Sequence, residues 1–315
     1  MSAAKTATFL LMVLMHLFSP NSTLSWMARK EGIRVANDLS YGEGPRHTLD
    51  IYAPETVAAS APIVVFFYGG GWETGAKEMY RFIGYSLAAQ GLVVVIPDYR
   101  LHPAVEFPAF MNDAAEAVTW TRANAAQFGG DPDRLFLMGH SAGAQIATLL
   151  SMDPEYLLSV SASPAEHSIC GVIGLAGPYD FLPLRGDLQA VFGPEANWPK
   201  SQPINYVSAD APPMLLLTGT SDGAVHYDNT LHLAERLREK GAEVDAELYA
   251  GLGHTGVIAA LSDALTFMAP VRDATLRFIR EHGSCGLGAT GFRNHVEKGP
   301  RGTEAVEQYP RGGRT

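Results

Sequence analysis

Continuous apolar runs bounded by Gly or Pro recur along the chain and predict strands covered on both faces. They span Ile63–Phe67, Leu92–Ile96, Arg134–Met138, Ile169–Leu175, Met214–Leu217 and Val244–Tyr249. Between them the apolar positions change to a helical spacing, which predicts helices over Lys77–Gln90, Ala109–Phe128, Ala142–Ser151, Tyr227–Lys240 and Pro270–His282. The fourth of these puts Leu231, Ala234 and Leu237 on one face and stops at Gly241. Strand alternating with helix predicts an α/β fold around a largely parallel sheet with right-handed crossovers. Ahead of it, Ile33–Leu39 and Thr48–Tyr52, joined by Gly42-Glu43-Gly44-Pro45, read as an antiparallel hairpin at the sheet edge.

Patterning also divides the chain. Lys5, then an apolar run from Phe9 to Phe18, Pro20 and the small polar stretch Asn21–Ser25 read as a signal peptide over residues 1–25, too short to span a bilayer comfortably. The alternatives are an uncleaved membrane-surface anchor, or a start really at Met27 and a cytoplasmic protein. A leader of the first kind implies a secreted or periplasmic protein. Residues 26–282 carry the periodic elements, and residues 283–315 are rich in Gly, Pro and charge, which predicts a disordered tail. The two cysteines make no framework: Cys170 reads as a small core residue and Cys285 lies in the tail, so two separate thiols are favoured over a bridge. The net charge of −10 argues against a nucleic-acid partner, because phosphate binding needs a basic footprint. No Cys/His spacing suggests a metal site, and no cofactor is implied.

Chemistry enters at Gly139-His140-Ser141-Ala142-Gly143, which follows a predicted strand and opens a predicted helix. A serine on so sharp a turn needs neighbours without side chains, and the helix N-terminus beyond it favours negative charge. With 32 glycines the pattern is weak by itself, and a second copy, Gly219-Thr220-Ser221-Asp222-Gly223, is present. The amide after the nucleophile must face a developing oxyanion. Ala142 leaves that amide clear, whereas Asp222 would put a carboxylate beside it, so Ser141 is the candidate nucleophile. Gly69-Gly70-Gly71-Trp72, after another buried strand, suits a loop whose amides approach a substrate. Asp222 and His254 each follow a later strand, and the order Ser, Asp, His places all three at strand C-terminal ends, where open parallel sheets build their sites. Asp228 is the rival acid; His226, His232 and Asp180 read as solvated, and His140 as packing. Arg100 and Asp113 read as a structural ion pair. Gly251 to Gly256 also spells a dinucleotide fingerprint, but no second strand follows to complete that unit.

Together with Pro97-Asp98-Tyr99-Arg100-Leu101, Phe107-Pro108-Ala109, Asp113 and Trp120, these motifs resemble the α/β-hydrolase esterases of the hormone-sensitive-lipase and carboxylesterase group. The resemblance covers most of residues 30–282 and extends to arylformamidases and to feruloyl or acetyl-xylan esterases. It implies an α/β-hydrolase fold with a mostly parallel eight-stranded sheet, helices on both faces and a triad of Ser141, Asp222 and His254. It also implies oxyanion amides at Gly70, Gly71 and Ala142. The expected activity is hydrolysis of short- to medium-chain carboxylic esters through an acyl-enzyme, with N-formyl aryl amides as the alternative substrate. A hydrolase fold reused as a binding module is disfavoured, since such relatives usually lose a triad member. Trp72 and Tyr179 are candidate substrate contacts, and residues from Pro178 to Tyr206 a small lid. One departure stands out. The group usually has His before the triple glycine; here Tyr68 stands, which implies retained activity with an altered substrate shape. Oligomeric state has no signature in the sequence.

Overall fold

The computed structural model describes residues 20–56, 60–161, 168–283 and 285 of the chain. Eight strands form one sheet in the order β1-β2-β4-β3-β5-β6-β7-β8. They are β1 (Ile33–Ser40), β2 (Thr48–Pro54), β3 (Ala61–Phe67), β4 (Val93–Pro97), β5 (Gly130–His140), β6 (Gly171–Leu175), β7 (Met214–Gly219) and β8 (Val244–Tyr249). The β1/β2 and β2/β4 pairs are antiparallel and all others parallel, as the hairpin and the alternation of elements predict. Residues of β4, β6 and β7 are buried throughout, the reason their sequences run apolar without alternation. β8 departs from that expectation. It is an edge strand, and each of its residues is half-buried or exposed.

Strand order places the site. From β3 the chain crosses to β4 on one side, then returns past β3 to β5 on the other. Right-handed crossovers running in opposite directions put their helices on opposite faces of the sheet. The first crossover carries α2 (Arg81–Ala88), and the second carries α3 (Ala109–Asn124). Where the direction reverses, the loops leaving β3 and β5 part and open a crevice at their C-terminal ends. Both glycine-rich motifs leave the sheet there. The remaining helices are α1 (Pro20–Met27), α4 (Ala142–Met152), α5 (Pro154–Val160), α6 (Gly186–Phe192), α7 (Asp228–Glu239), α8 (His254–Ala259) and α9 (Val271–Glu281). Beside α2 lies α9, joined by a bond from Arg272 Nη1 to Ser86 Oγ.

Several boundaries differ from the sequence reading. The predicted helix from Lys77 begins as a 3-10 turn, Lys77–Tyr80, before α2. The one from Ala109 ends as another, Ala125–Phe128, closed by Gly129 in the left-handed region. The apolar leader run lies outside the described residues, but its expected polar exit does not. That stretch forms α1, whose Leu24 is buried and whose Ser25 hydroxyl donates to the Met79 carbonyl and accepts from the Phe82 amide. Residues 286–315 lie outside the described residues.

The cysteines correct a further expectation. Cys170 and Cys285 form a disulfide with Cα atoms 5.2 Å apart across 115 residues of sequence. The cause is tertiary: Arg134 Nε donates to the Gly283 carbonyl at 2.7 Å, returning the end of α9 to the start of β5 and β6. Cross-linking distant segments restricts the unfolded chain most. Cys285→Ser should therefore lower stability by about 2–4 kcal/mol, read as an earlier thermal unfolding midpoint. The site at the other end of the strands should keep its activity in assays well below that midpoint.

Candidate active site

Ser141 stands between β5 and α4 with φ 55° and ψ −124°, outside the regions a non-glycine residue prefers. Such a conformation costs on the order of 1–3 kcal/mol and persists only where packing imposes it. Here the packing is backbone against backbone. A Cβ on Gly143 would sit 2.1 Å from the Phe67 carbonyl oxygen, and one on Gly139 would be as close to that of Gly143. Both flanking glycines are thus demanded by contact, as the motif predicts. The Ser141 amide donates to the Leu175 carbonyl at 2.9 Å, pinning the bend to β6.

Two loops complete the row of polar groups. His254 Nε2 lies 2.9 Å from Ser141 Oγ, and His254 Nδ1 lies 2.7 Å from Asp222 Oδ2. The other Asp222 oxygen accepts the amides of Ala224 and Val225, both at 2.9 Å, so the buried carboxylate is held on both sides. A carboxylate accepting at Nδ1 leaves Nε2 as the acceptor for the serine proton. The rival Asp228 instead pairs with His226 near the surface. Ser221 is exposed, and the second glycine-serine copy serves as the turn that carries Asp222. His254 itself opens α8, a short helix not among those the apolar spacing predicts.

The triple-glycine loop follows β3. The Gly70 carbonyl accepts the amides of Glu73 and Thr74, and its φ of 142° requires glycine, because a Cβ there would strike the Thr74 carbonyl. Gly69, Gly70, Gly71, Ala142, Ser141 and His254 all line a cavity of about 440 Å³. Its remaining walls include Pro178, Phe181, Arg185 and Leu188 from the lid segment. A wider depression of about 910 Å³ lies at the opposite end of the strands, around Gly32, Pro54 and Gly91, away from this row.

Trp72 is nearly buried, with φ 61°, and presents an edge to the cavity. Its indole Nε1 donates to Gln145 Oε1 at 3.2 Å, and Gln145 Nε2 donates to the Ser201 carbonyl at 2.8 Å. Gln145 thereby joins the glycine loop, helix α4 and the segment from Pro178 to Tyr206. Sequence reasoning missed it, although a lone amide four residues after the serine, in an otherwise small and apolar helix, was a usable signal. Tyr179 does not line the cavity: it is fully buried and fills the space over Gly174 and Gly177. Its neighbour Phe181 takes the position at the wall. Asp113 is fully buried and grips Arg100 through the backbone amide and the guanidinium, a structural pairing that His47 joins at 3.3 Å.

Tyr68 also corrects an expectation. Its side chain turns away from the cavity, stacked between Tyr80 and Tyr99, so it does not shape the substrate space. The hydroxyl donates to Asp98 Oδ1 at 2.6 Å and accepts from Arg46 Nη2 at 2.5 Å. Burial lifts the Asp98 carboxyl above its ordinary range, opposed by the Tyr68 hydroxyl and the Arg46 charge. Tyr99 Oη in turn donates to the Tyr68 carbonyl at 2.8 Å, so the residue before the triple glycine is fixed at both ends.

His140, read from sequence as packing, faces the catalytic row. Its ring centroid is 4.7 Å from that of His254, and its Nε2 lies 3.1 Å from the His254 carbonyl oxygen. Burial, and then the neighbouring His254, push its pKa down to about 3.

Comparison with known proteins adds relationship to this geometry. The family model described as BD-FAE matches residues 49–237. The isoprenylcysteine alpha-carbonyl methylesterase ICME of Arabidopsis thaliana is 31% identical over 242 residues, covering 70% of this chain and 57% of that protein. Esterase LipC of Mycobacterium tuberculosis is 30% identical over 218 residues, covering 63% of this chain and 54% of that protein. The chain thus spans little more than half the length of these curated relatives. Among solved structures, esterase B from Lactobacillus Rhamnosis, inhibited by a C4-C4 SN3 tributyrin phosphonate, superposes with TM-score 0.73 at 21% identity. That match covers 90% of this chain and 97% of that one. A truncated carbohydrate esterase from gut microbiota superposes with TM-score 0.70 at 21% identity, over 81% of this chain and 99% of that one.

Tyr68→Phe keeps the stacked rings but deletes the bond to Asp98, leaving a buried carboxylate short of a partner. The expected result is a loss of about 1.5–3 kcal/mol of stability by denaturant unfolding. Turnover should fall with little change in KM, since the glycine loop loosens while the cavity wall is untouched.

Proposed function

Because this chain belongs to the BD-FAE family, within the α/β-hydrolase esterases of the hormone-sensitive-lipase and carboxylesterase group, we propose that it hydrolyses carboxylic esters through a covalent acyl-serine. The observation that carries the reading is the unbroken line Asp222–His254–Ser141, with contacts of 2.7 and 2.9 Å. His254 Nε2 takes the Ser141 proton as Oγ bonds to the ester carbonyl carbon, and Asp222 stabilises the imidazolium. The amides of Gly70, Gly71 and Ala142 stabilise the resulting oxyanion, whose charge is absent from the ground state. Collapse breaks the carbon–oxygen bond to the alcohol, which leaves with the proton from His254. A water, deprotonated by the same ring, then releases the acid and restores Ser141.

Cavity size argues for small or medium acyl groups. A volume of about 440 Å³ lies toward the small end of ligand sites, and the rings of Trp72 and Phe181 in its wall are backed by Phe192. Nitrophenyl acetate and butyrate should be turned over faster than palmitate; fastest turnover of palmitate would reject the size argument. Ser141→Ala should reduce kcat by roughly 10⁴–10⁶ without unfolding the protein, and Ser221→Ala should leave it near wild type. Equal losses in the two variants would overturn the assignment of the nucleophile.

Export is part of the same proposal. The apolar leader suits it, and the Cys170–Cys285 bond suits an oxidising compartment. Intact-mass measurement of protein recovered outside the cytoplasm should show a shortened N-terminus and two hydrogens fewer than the dithiol; a cytoplasmic, full-length dithiol would reject it.

A further inference from the structure

His140 is a buried polar side chain in the cavity wall that the reaction leaves unused. It precedes Ser141 in the cramped bend and is only 4% exposed. Its contact with the His254 carbonyl fixes its tautomer, because a carbonyl only accepts: Nε2 carries the proton and donates it at 3.1 Å. Nδ1 is then a bare lone pair, buried and without a hydrogen-bond partner among the described residues. It faces Gly69, where an added Cβ would lie 2.9 Å away. One ring therefore touches the start of the glycine loop on one edge and the backbone that carries His254 on the other.

We propose that His140 is a positioning residue whose neutral ring, donating to the His254 carbonyl, holds the His254 imidazole in line between Ser141 and Asp222; this rests on the triad reading above. His254 needs such a hold. It is the first residue of a six-residue helix, and Gly253 before it provides no side-chain cap. Neutrality matters as much as the bond. When His254 accepts the serine proton, it faces an uncharged ring at 4.7 Å instead of a second cation. The titratable groups around His140 are His254 on α8, Asp222 beyond it after β7, and Tyr80, whose hydroxyl bonds the Gly69 carbonyl at 3.3 Å. His140 Nε2 bonds the His254 backbone, whereas Ser141 Oγ meets His254 Nε2, so His140 does not serve as the base itself.

Three variants separate this role from simple filling of space. His140→Phe keeps a ring but loses the donor, His140→Gln restores an N–H, and His140→Asp adds a charge. With nitrophenyl butyrate, His140→Phe should lower kcat roughly 10²-fold while KM stays within about threefold, the size expected when a reacting group is displaced by about an ångström. His140→Gln should recover most of that loss. His140→Asp should move the acid limb of the kcat/KM profile upward by about one pH unit, because a carboxylate beside His254 favours its protonated form. A separate readout needs no catalysis. The native ring resists protonation until about pH 3, so the unfolded chain binds the extra proton between there and its ordinary value near 6.5. Wild type should therefore lose stability across that window as pH falls, relative to His140→Gln. Wild-type turnover in His140→Phe would overturn the role, as would equal losses in the Phe and Gln variants with an unmoved acid limb in His140→Asp. An active Ser141→Ala would instead overturn the triad reading on which it rests.

Discussion

The close approach of β5, α4 and β3 at Ser141 is the constraint on which the site depends. The serine occupies a left-handed conformation that its own side chain disfavours, and it is kept there because the flanking glycines let three backbone segments meet. The strain is offset by the packing of strands buried on both faces, and by the amide bond to Leu175 on β6. Because the bend is set by backbone contact, the Ser141 backbone is placed without the help of a neighbouring side chain. His254 and Asp222 arrive on the turns after β8 and β7, so the row is assembled at one end of one rigid sheet.

A second group of buried polar contacts supports the glycine loop from behind. Lys77 is almost fully buried, yet its ammonium meets Asp38, Glu78 and Asp50 at 2.6, 2.7 and 3.1 Å. Burial disfavours its charge, but the bonds it donates to these carboxylates outweigh burial and hold its pKa above the ordinary lysine value. The Lys77 amide also donates to Asp98, the acid that Tyr68 and Arg46 share. Charged groups so placed are weak evidence for stability, since an apolar replacement can serve as well. Their geometric consequence is clearer: Tyr68, and with it the loop from Gly69 to Trp72, has one place to stand.

On the opposite side of the cavity the lid is held by aromatic packing and one amide. Trp72 meets Phe192 edge-on at 4.9 Å and Phe181 in a stacked arrangement at 6.0 Å. Gln145 ties that indole to the lid carbonyl of Ser201. The cavity wall at Trp72 is therefore continuous with α4, the helix that follows Ser141, and enlarging the cavity would disturb both.

Local pattern determined a great deal of this. Apolar runs located the strands, glycine spacing located the bend at Ser141, and chain order selected Asp222 and His254, because each is a property of neighbouring residues on the chain. Of the two glycine-serine copies, the one that charge favours in the sequence is also the one whose hydroxyl meets His254. What tertiary structure decided depends on groups far apart in sequence. Cys170 and Cys285 meet only because α9 returns to the strand starts, and Tyr179 gives up the cavity wall to Phe181 because two glycines of the β6 region leave a hollow behind it. Tyr68 faces Asp98 and Arg46 instead of substrate, and His140 faces the carbonyl of His254, 114 residues away. No local periodicity encodes where a side chain points once two loops from different strands converge; packing in three dimensions does.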